Sequence, residues 1–187
     1  MEKPVVETSK FISLILRHKP ETIGVVLDQE GWLLVDTLLE ASAQHGIAIT
    51  RQELKQVVEQ KDKKRFELRD GRIRAYHGHS LKVNLNLTAV EPPTYLFHGT
   101  AKAWMDSIGS QGILKMKRQY VHLSADPEKA MKVGKRHGVP AVVRVWAAIM
   151  HQEGHKFYLS ENGVWLTDTV PPQYLEEMNN YSNGHVS

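Results

Sequence analysis

Two basic residues stand side by side, Arg17 and His18, at the end of the aliphatic run ISLILRHKP, residues 12–20. A guanidinium holds phosphate through a planar fork of permanently charged donors, and an imidazole titrates near neutrality, so the pair suits phosphate chemistry. The same residues also have a structural use. Cations in a last turn favour the negative end of the helix dipole, and Pro20 stops the helix. Three triplets carry further candidate chemistry: GHS at 78–80, HGT at 98–100 and HLS at 122–124. Glycine lets a ligand approach the backbone, while imidazole and hydroxyl groups can bond ribose hydroxyls or an amide. A histidine at a strand end is more often a packing residue than a ligand contact, so no single triplet decides the chemistry.

Other chemistries drop out. The chain has no cysteine, which removes disulfides, thiolate zinc sites and cysteine nucleophiles. HGH at 77–79 and HQEGH at 151–155 invite a metal reading, but the second is not HExxH, contains Gly154 and falls where a turn is expected. No metal is expected. There is no GxGxxG and no GxxxxGKS/T loop, and neither a Ser/His/Asp set nor a carboxylate pair can be singled out. The 24 basic residues exceed the 21 acidic ones only slightly, which permits a nucleic-acid partner without demanding one. The amino terminus lacks the apolar stretch of a secretory signal and no run is long enough to span a bilayer, so a cytoplasmic protein is expected.

The elements that must position these groups read as two lobes of an α+β protein. In the first, Thr8 or Ser9 is expected to cap a helix carrying Phe11, Ile12, Leu14, Ile15 and Leu16; a turn with short extended pieces follows around Gly31. Asp36 is expected to cap a second helix ending near Gly46. Thr50 and Glu53 form a capping box for a third, which fades in the charged run QKDKKR. RFELRDGRIRAY then reads as two strands around an Asp70-Gly71 turn. That turn fixes the register: Arg69 faces Arg72, Glu67 faces Arg74 and Arg65 faces Tyr76 on one side, with Leu68 against Ile73 and Phe66 against Ala75 on the other. Three helices and a basic hairpin suggest a winged helix, whose arginines at 69, 72 and 74 fit phosphate positioning and an ordinary solvated hairpin equally well. The first lobe spans 1–88, residues 89–94 link, and the second lobe spans 95–187. The second lobe alternates TYLFH as a strand, AKAWMDSIG as a helix with Trp104 and Ile108 inward, and YVHLS as a strand. Asp126-Pro127 opens a helix through His137; AVVRVWAAI follows as a buried strand, then KFYLS, then VWLT behind Asn162-Gly163.

In order along the chain, SKFISLILRHKP, GVVLDQEGWL, KRFEL, GHS, LFHGT, VHLS, KVGKRHGVP and NGVWLTDTVPPQYL together resemble the RNA 2′-phosphotransferase family, the KptA-type enzymes, from about Ser9 to Leu175. The resemblance implies an amino-terminal winged helix joined to a carboxy-terminal ADP-ribosyltransferase-like lobe. It also implies a reaction, associated with tRNA splicing, in which NAD as co-substrate removes an internal 2′-phosphate from RNA, leaving a 2′-hydroxyl, nicotinamide and ADP-ribose 1″,2″-cyclic phosphate. The family's catalytic groups fall on Arg17, His18, Arg65 and Arg118, and its NAD contacts on His98, Gly99, Thr100, His122, Leu123 and Ser124. Phe97 stands where many relatives have tyrosine. RNA bearing a 2′-phosphate is the implied partner, and a monomer is expected. Two competing readings are an ADP-ribosyltransferase that caps terminal phosphates of RNA or DNA, told apart by a retained ADP-ribose, and a non-catalytic winged-helix nucleic-acid-binding regulator, told apart by failure to bind NAD.

Overall fold

Helix α1 (Lys3–Arg17) opens the structure, a computed structural model that describes residues 3–60 and 64–178. The helix begins well before the expected cap. Thr8 does not cap it but donates its hydroxyl back to the Pro4 carbonyl at 2.8 Å, a bond that a helix interior tolerates. Ser9 lies on the buried face with Ile12, Ile15 and Leu16, at the three- and four-residue spacing of one helix side. At the other end Lys19 N–H bonds the Leu14 carbonyl at 2.7 Å, and Pro20 starts a single 3-10 turn that Gly24 closes with φ +70°.

The chain divides into two compact units, Met1–Asn86 and Leu87–Ser187. In the first, α2 (Val35–Gln44) follows extended Leu34; Asp36 therefore sits inside the first turn, not at the cap, and pairs with Arg51. Thr50 caps α3 (Arg51–Val58) by accepting the Glu53 N–H at 3.1 Å, as the sequence suggests. Of the charged run beyond α3, residues 61–63 lie outside the described residues. Strands β1 (Leu33–Leu34), β2 (Phe66–Arg69) and β3 (Arg72–Ala75) form an antiparallel sheet in the order β1-β3-β2. Its hairpin has the register read from the sequence, and Asp70 and Gly71 both take positive φ, as a two-residue primed turn requires. The division of its faces differs from the expectation. Leu68 is 41 % exposed, whereas Glu67 is only 6 % exposed, held between Arg69 at 2.5 Å and Arg74 at 2.9 Å.

The second unit holds two three-stranded antiparallel sheets. One contains β4 (Leu96–Ala101), β6 (Pro140–Val145) and β9 (Leu175–Glu177) in the order β4-β6-β9. The other contains β5 (Val121–Leu123), β7 (Phe157–Leu159) and β8 (Trp165–Thr167) in the order β5-β8-β7. Helices α4 (Met105–Gln111), α5 (Pro127–Gly134) and α6 (Ala147–Gln152) connect them, and Leu96, Val143, Val145, Phe157 and Met150 fill one core. Trp104, expected inward, lies in a 3-10 turn before α4 with its ring 54 % exposed against His137. Asp126 caps α5 as expected, but the helix stops at Gly134, short of His137. The strand expected through Ile149 ends at Val145, because Ala147 and Met150, three apart and fully buried, supply a helical face instead. HQEGH accordingly begins in α6 and turns at Gly154. The Asn162-Gly163 turn and β8 stand as read, whereas β9 carries no strand signal in LEE. Among the described residues there is no group of three or more metal-ligating side chains, and no helix is long and apolar enough to cross a membrane.

Candidate active site

In the first unit the GHS triplet docks onto the end of α1. Ser80 N–H bonds the Arg17 carbonyl at 2.9 Å, and Ser80 Oγ lies 2.9 Å from His18 Nδ1. Gly78, at φ +87°, passes under the Arg17 side chain: a Cβ there would stand 3.4 Å from Arg17 Nε, and the backbone conformation is one that side chains resist. Arg17 lies over the Phe66 ring at 5.9 Å. Arg65 donates to Ser9 Oγ at 3.1 Å, and Ser9 shares a face of α1 with Arg17 two turns on. One element thus organises Arg17, His18 and Arg65, with Gly78 and Ser80 as supports absent from the sequence-derived site. Their only advance signal was GHS itself.

His79 is buried at 1 % exposure, and neither ring nitrogen finds a hydrogen-bond partner among the described residues. Burial first, then the charges of Arg17, His18 and Arg74, lowers its pKa from 6.5 to about 4. Between those values the unfolded chain binds the proton and the folded chain does not. Stability is therefore complete above about pH 6.5 and falls as the pH drops toward 4, by about 3 kcal/mol for this group. Urea unfolding at pH 7 and pH 4.5 should show His79→Leu losing less stability between the two than the native protein. Equal losses would show that His79 does not drive the acid limb.

In the second unit, β4 and β5 meet at one antiparallel bridge, Phe97 with Ser124, each donating to the other at 2.8 Å. Ladder alternation makes Gly99 and His122 the next hydrogen-bonded pair. That pair does not form: His98 Nδ1 donates to the His122 carbonyl at 3.1 Å, and the strands splay. The N–H and C=O of buried Gly99 point away from β6, to the side from which β5 splays. Arg118 can only donate, so its 3.0 Å contact makes His122 Nδ1 an acceptor and leaves the ring proton on Nε2. His98 carries its proton on Nδ1; burial lowers its pKa, opposed by the bond to the His122 carbonyl and assisted by His137 and Arg118. Its Nε2 lone pair is thus an acceptor. Desolvation and then the Arg136 charge lower the pKa of Arg118. Around the splay stand two imidazoles of opposite polarity, the backbone donor and acceptor of Gly99, and the Arg118 guanidinium.

Not every expected residue reaches it. Thr100 is buried at 2 % and Leu123 at 3 %, so both serve packing, and Ser124 Oγ is engaged with the Asp126 backbone in the turn before α5. Arg69 and Arg74 flank Glu67, and Arg74 covers the Trp32 ring at 4.4 Å; Arg72 is held more loosely, 3.6 Å from Asp28.

The sequence model described as "RNA 2'-phosphotransferase, Tpt1 / KptA family" matches residues 3–169. A protein of Flavobacterium johnsoniae named "Probable RNA 2'-phosphotransferase" is 52 % identical over 170 residues, covering 90 % of this chain and 93 % of that protein. Proteins of the same name from Streptomyces griseus and Hahella chejuensis are 48 % and 47 % identical, covering 93 % and 98 % of this chain and 97 % and 100 % of their own.

Proposed function

The chain belongs to the RNA 2′-phosphotransferase family, and on that premise we propose that it transfers an internal RNA 2′-phosphate to NAD. The observation that carries the NAD reading is the splay of β4 from β5. A ribose hydroxyl suits the His98 Nε2 lone pair, a primary carboxamide suits the paired N–H and C=O of Gly99, and His122 Nε2–H is a further donor. Three helices with a three-stranded sheet support reading the first unit as a winged helix, and two antiparallel sheets with flanking helices support reading the second as an ADP-ribosyltransferase-like lobe.

In the first step a 2′-phosphate oxygen attacks the ribose carbon that bears nicotinamide, and nicotinamide leaves with the bonding pair. The nucleophile is already anionic, so no base is required. In the second step the ribose 2″-hydroxyl attacks phosphorus, loses its proton, and expels the RNA 2′-oxygen, which takes a proton. In the first unit Arg17 and Arg65 neutralise the phosphorus-bound oxygens and His18 supplies the proton; in the second unit Arg118 is the cation that the family resemblance makes catalytic. Incubation with NAD and a 2′-phosphorylated oligonucleotide should yield an oligonucleotide lighter by one phosphate, together with ADP-ribose cyclic phosphate, by mass. An ADP-ribose retained on RNA as the end product would overturn the proposal in favour of capping.

The hairpin arginines divide by their partners. Arg72 is the phosphate-positioning candidate, so Arg72→Ala should reduce the salt slope of RNA binding by about one unit. Arg74→Ala should instead cost about 1–3 kcal/mol in unfolding measurements, because it weakens the pairing of buried Glu67. An unchanged salt slope in Arg72→Ala would make that side chain ordinary surface.

A further inference from the structure

We propose that Ser80 is a positioning residue that fixes the tautomer of His18, keeping the proton on Nδ1 so that Nε2 is the nitrogen that exchanges a proton with substrate. The proposal rests on the phosphotransferase reading for its kinetic consequence, but its structural content stands apart from it. Ser80 and His18 are 62 residues apart, and their contact at 2.9 Å is built by the surrounding turn. Ser80 N–H ties the turn to the Arg17 carbonyl at 2.9 Å, and Gly78 lets it pass close under Arg17. The hydroxyl also lies 3.4 Å from that carbonyl, on the donor side.

A serine hydroxyl has one proton and two lone pairs. When His18 is an imidazolium, as a proton donor must be, Nδ1–H can only donate. Ser80 Oγ then accepts it and directs its own proton to the Arg17 carbonyl at the negative end of α1. The relay Nδ1–H to Oγ–H to carbonyl is satisfied in the charged form and survives loss of the proton from Nε2. Loss from Nδ1 would instead force the hydroxyl to turn. Without the serine, Nδ1–H loses its acceptor and the neutral ring shifts toward the Nε2–H form that histidine favours in water, which cannot take back a proton at the working nitrogen.

The test measures tautomer and rate separately. In the full chain labelled with 15N at histidine, His18 should show the Nδ1–H pattern at a pH where its ring is neutral, and Ser80→Ala should move it toward Nε2–H. In single-turnover assays Ser80→Ala should slow formation of dephosphorylated RNA by about 100-fold with little change in RNA affinity. Ser80→Thr, which keeps the hydroxyl, should restore most of the rate. A His18 already in the Nε2–H form in the native protein overturns the proposal, as does a Ser80→Ala variant with native rate. Native protein lacking phosphotransferase activity but showing the Nδ1–H pattern would refute the functional reading and leave the tautomer assignment supported.

Discussion

Replacing His18 by alanine should slow release of dephosphorylated RNA by about 100- to 10,000-fold and leave RNA with ADP-ribose attached through its 2′-phosphate. The asymmetry comes from what each step demands. The first needs an anionic phosphate placed near the ribose carbon, which several cations can achieve together. The second must stabilise five-coordinate phosphorus and deliver a proton to a poor leaving group, tasks that one missing group interrupts. Arg65→Ala should behave similarly. Its guanidinium is braced on Ser9 Oγ at 3.1 Å, on the helix that carries Arg17, and is therefore set in direction as well as charge. Single-turnover time courses with NAD and 2′-phosphorylated RNA, read by mass, decide the matter. Loss of product without an accumulating adduct would move both residues to the first step or to binding.

What the sequence revealed follows the range of the interactions involved. The hairpin register was readable because Asp70-Gly71 fixes the turn and the period of two fixes the rest. The Thr50 cap was readable because its partner is three residues away. The start of α1 is hidden by a long-range contact: Thr8 and Ser9 suit a cap, but Ser9 is wanted on the buried face beside Arg65, 56 residues on. The same holds for Glu67, placed by alternation among arginines on an outer face yet buried between two of them. No pattern in RFELR reveals that Trp32, more than thirty residues earlier, roofs Arg74. The site shows the same limit. Arg17, His18 and GHS were each visible as chemistry, but the bond from Ser80 to His18 closes a long loop that spacing cannot show. In the second unit HGT and HLS were recognisable as strand ends, while the ring of His98 taking a carbonyl from the β-ladder is a tertiary event.

Gly99 illustrates the difference most sharply, and its replacement by alanine should destabilise the second unit by about 3 kcal/mol, lowering the melting temperature by about 10 °C. The sequence offers ligand approach as the reason for a glycine there. The structure adds a steric one: a Cβ on Gly99 would overlap the carbonyl oxygen of Ala130 and stand 2.9 Å from the Gly134 nitrogen, both in the backbone of α5. A rotating side chain cannot relieve the overlap, so α5 must move off β4 or the strand must bend. Shortening the neighbour gives no help either, since Ala130→Gly keeps the offending oxygen. Gly109 in α4 is the control, because nothing lies within 4 Å of its added Cβ and alanine there should be neutral or stabilising by up to about 1 kcal/mol. Thermal unfolding of the ligand-free variants separates the two accounts of Gly99. If Gly99→Ala melts with the native protein and loses only NAD affinity, the glycine serves the ligand alone. If it melts early and Ala130→Gly fails to rescue it, the close seating of α5 on β4 is what fixes the glycine, whatever it does for a ligand.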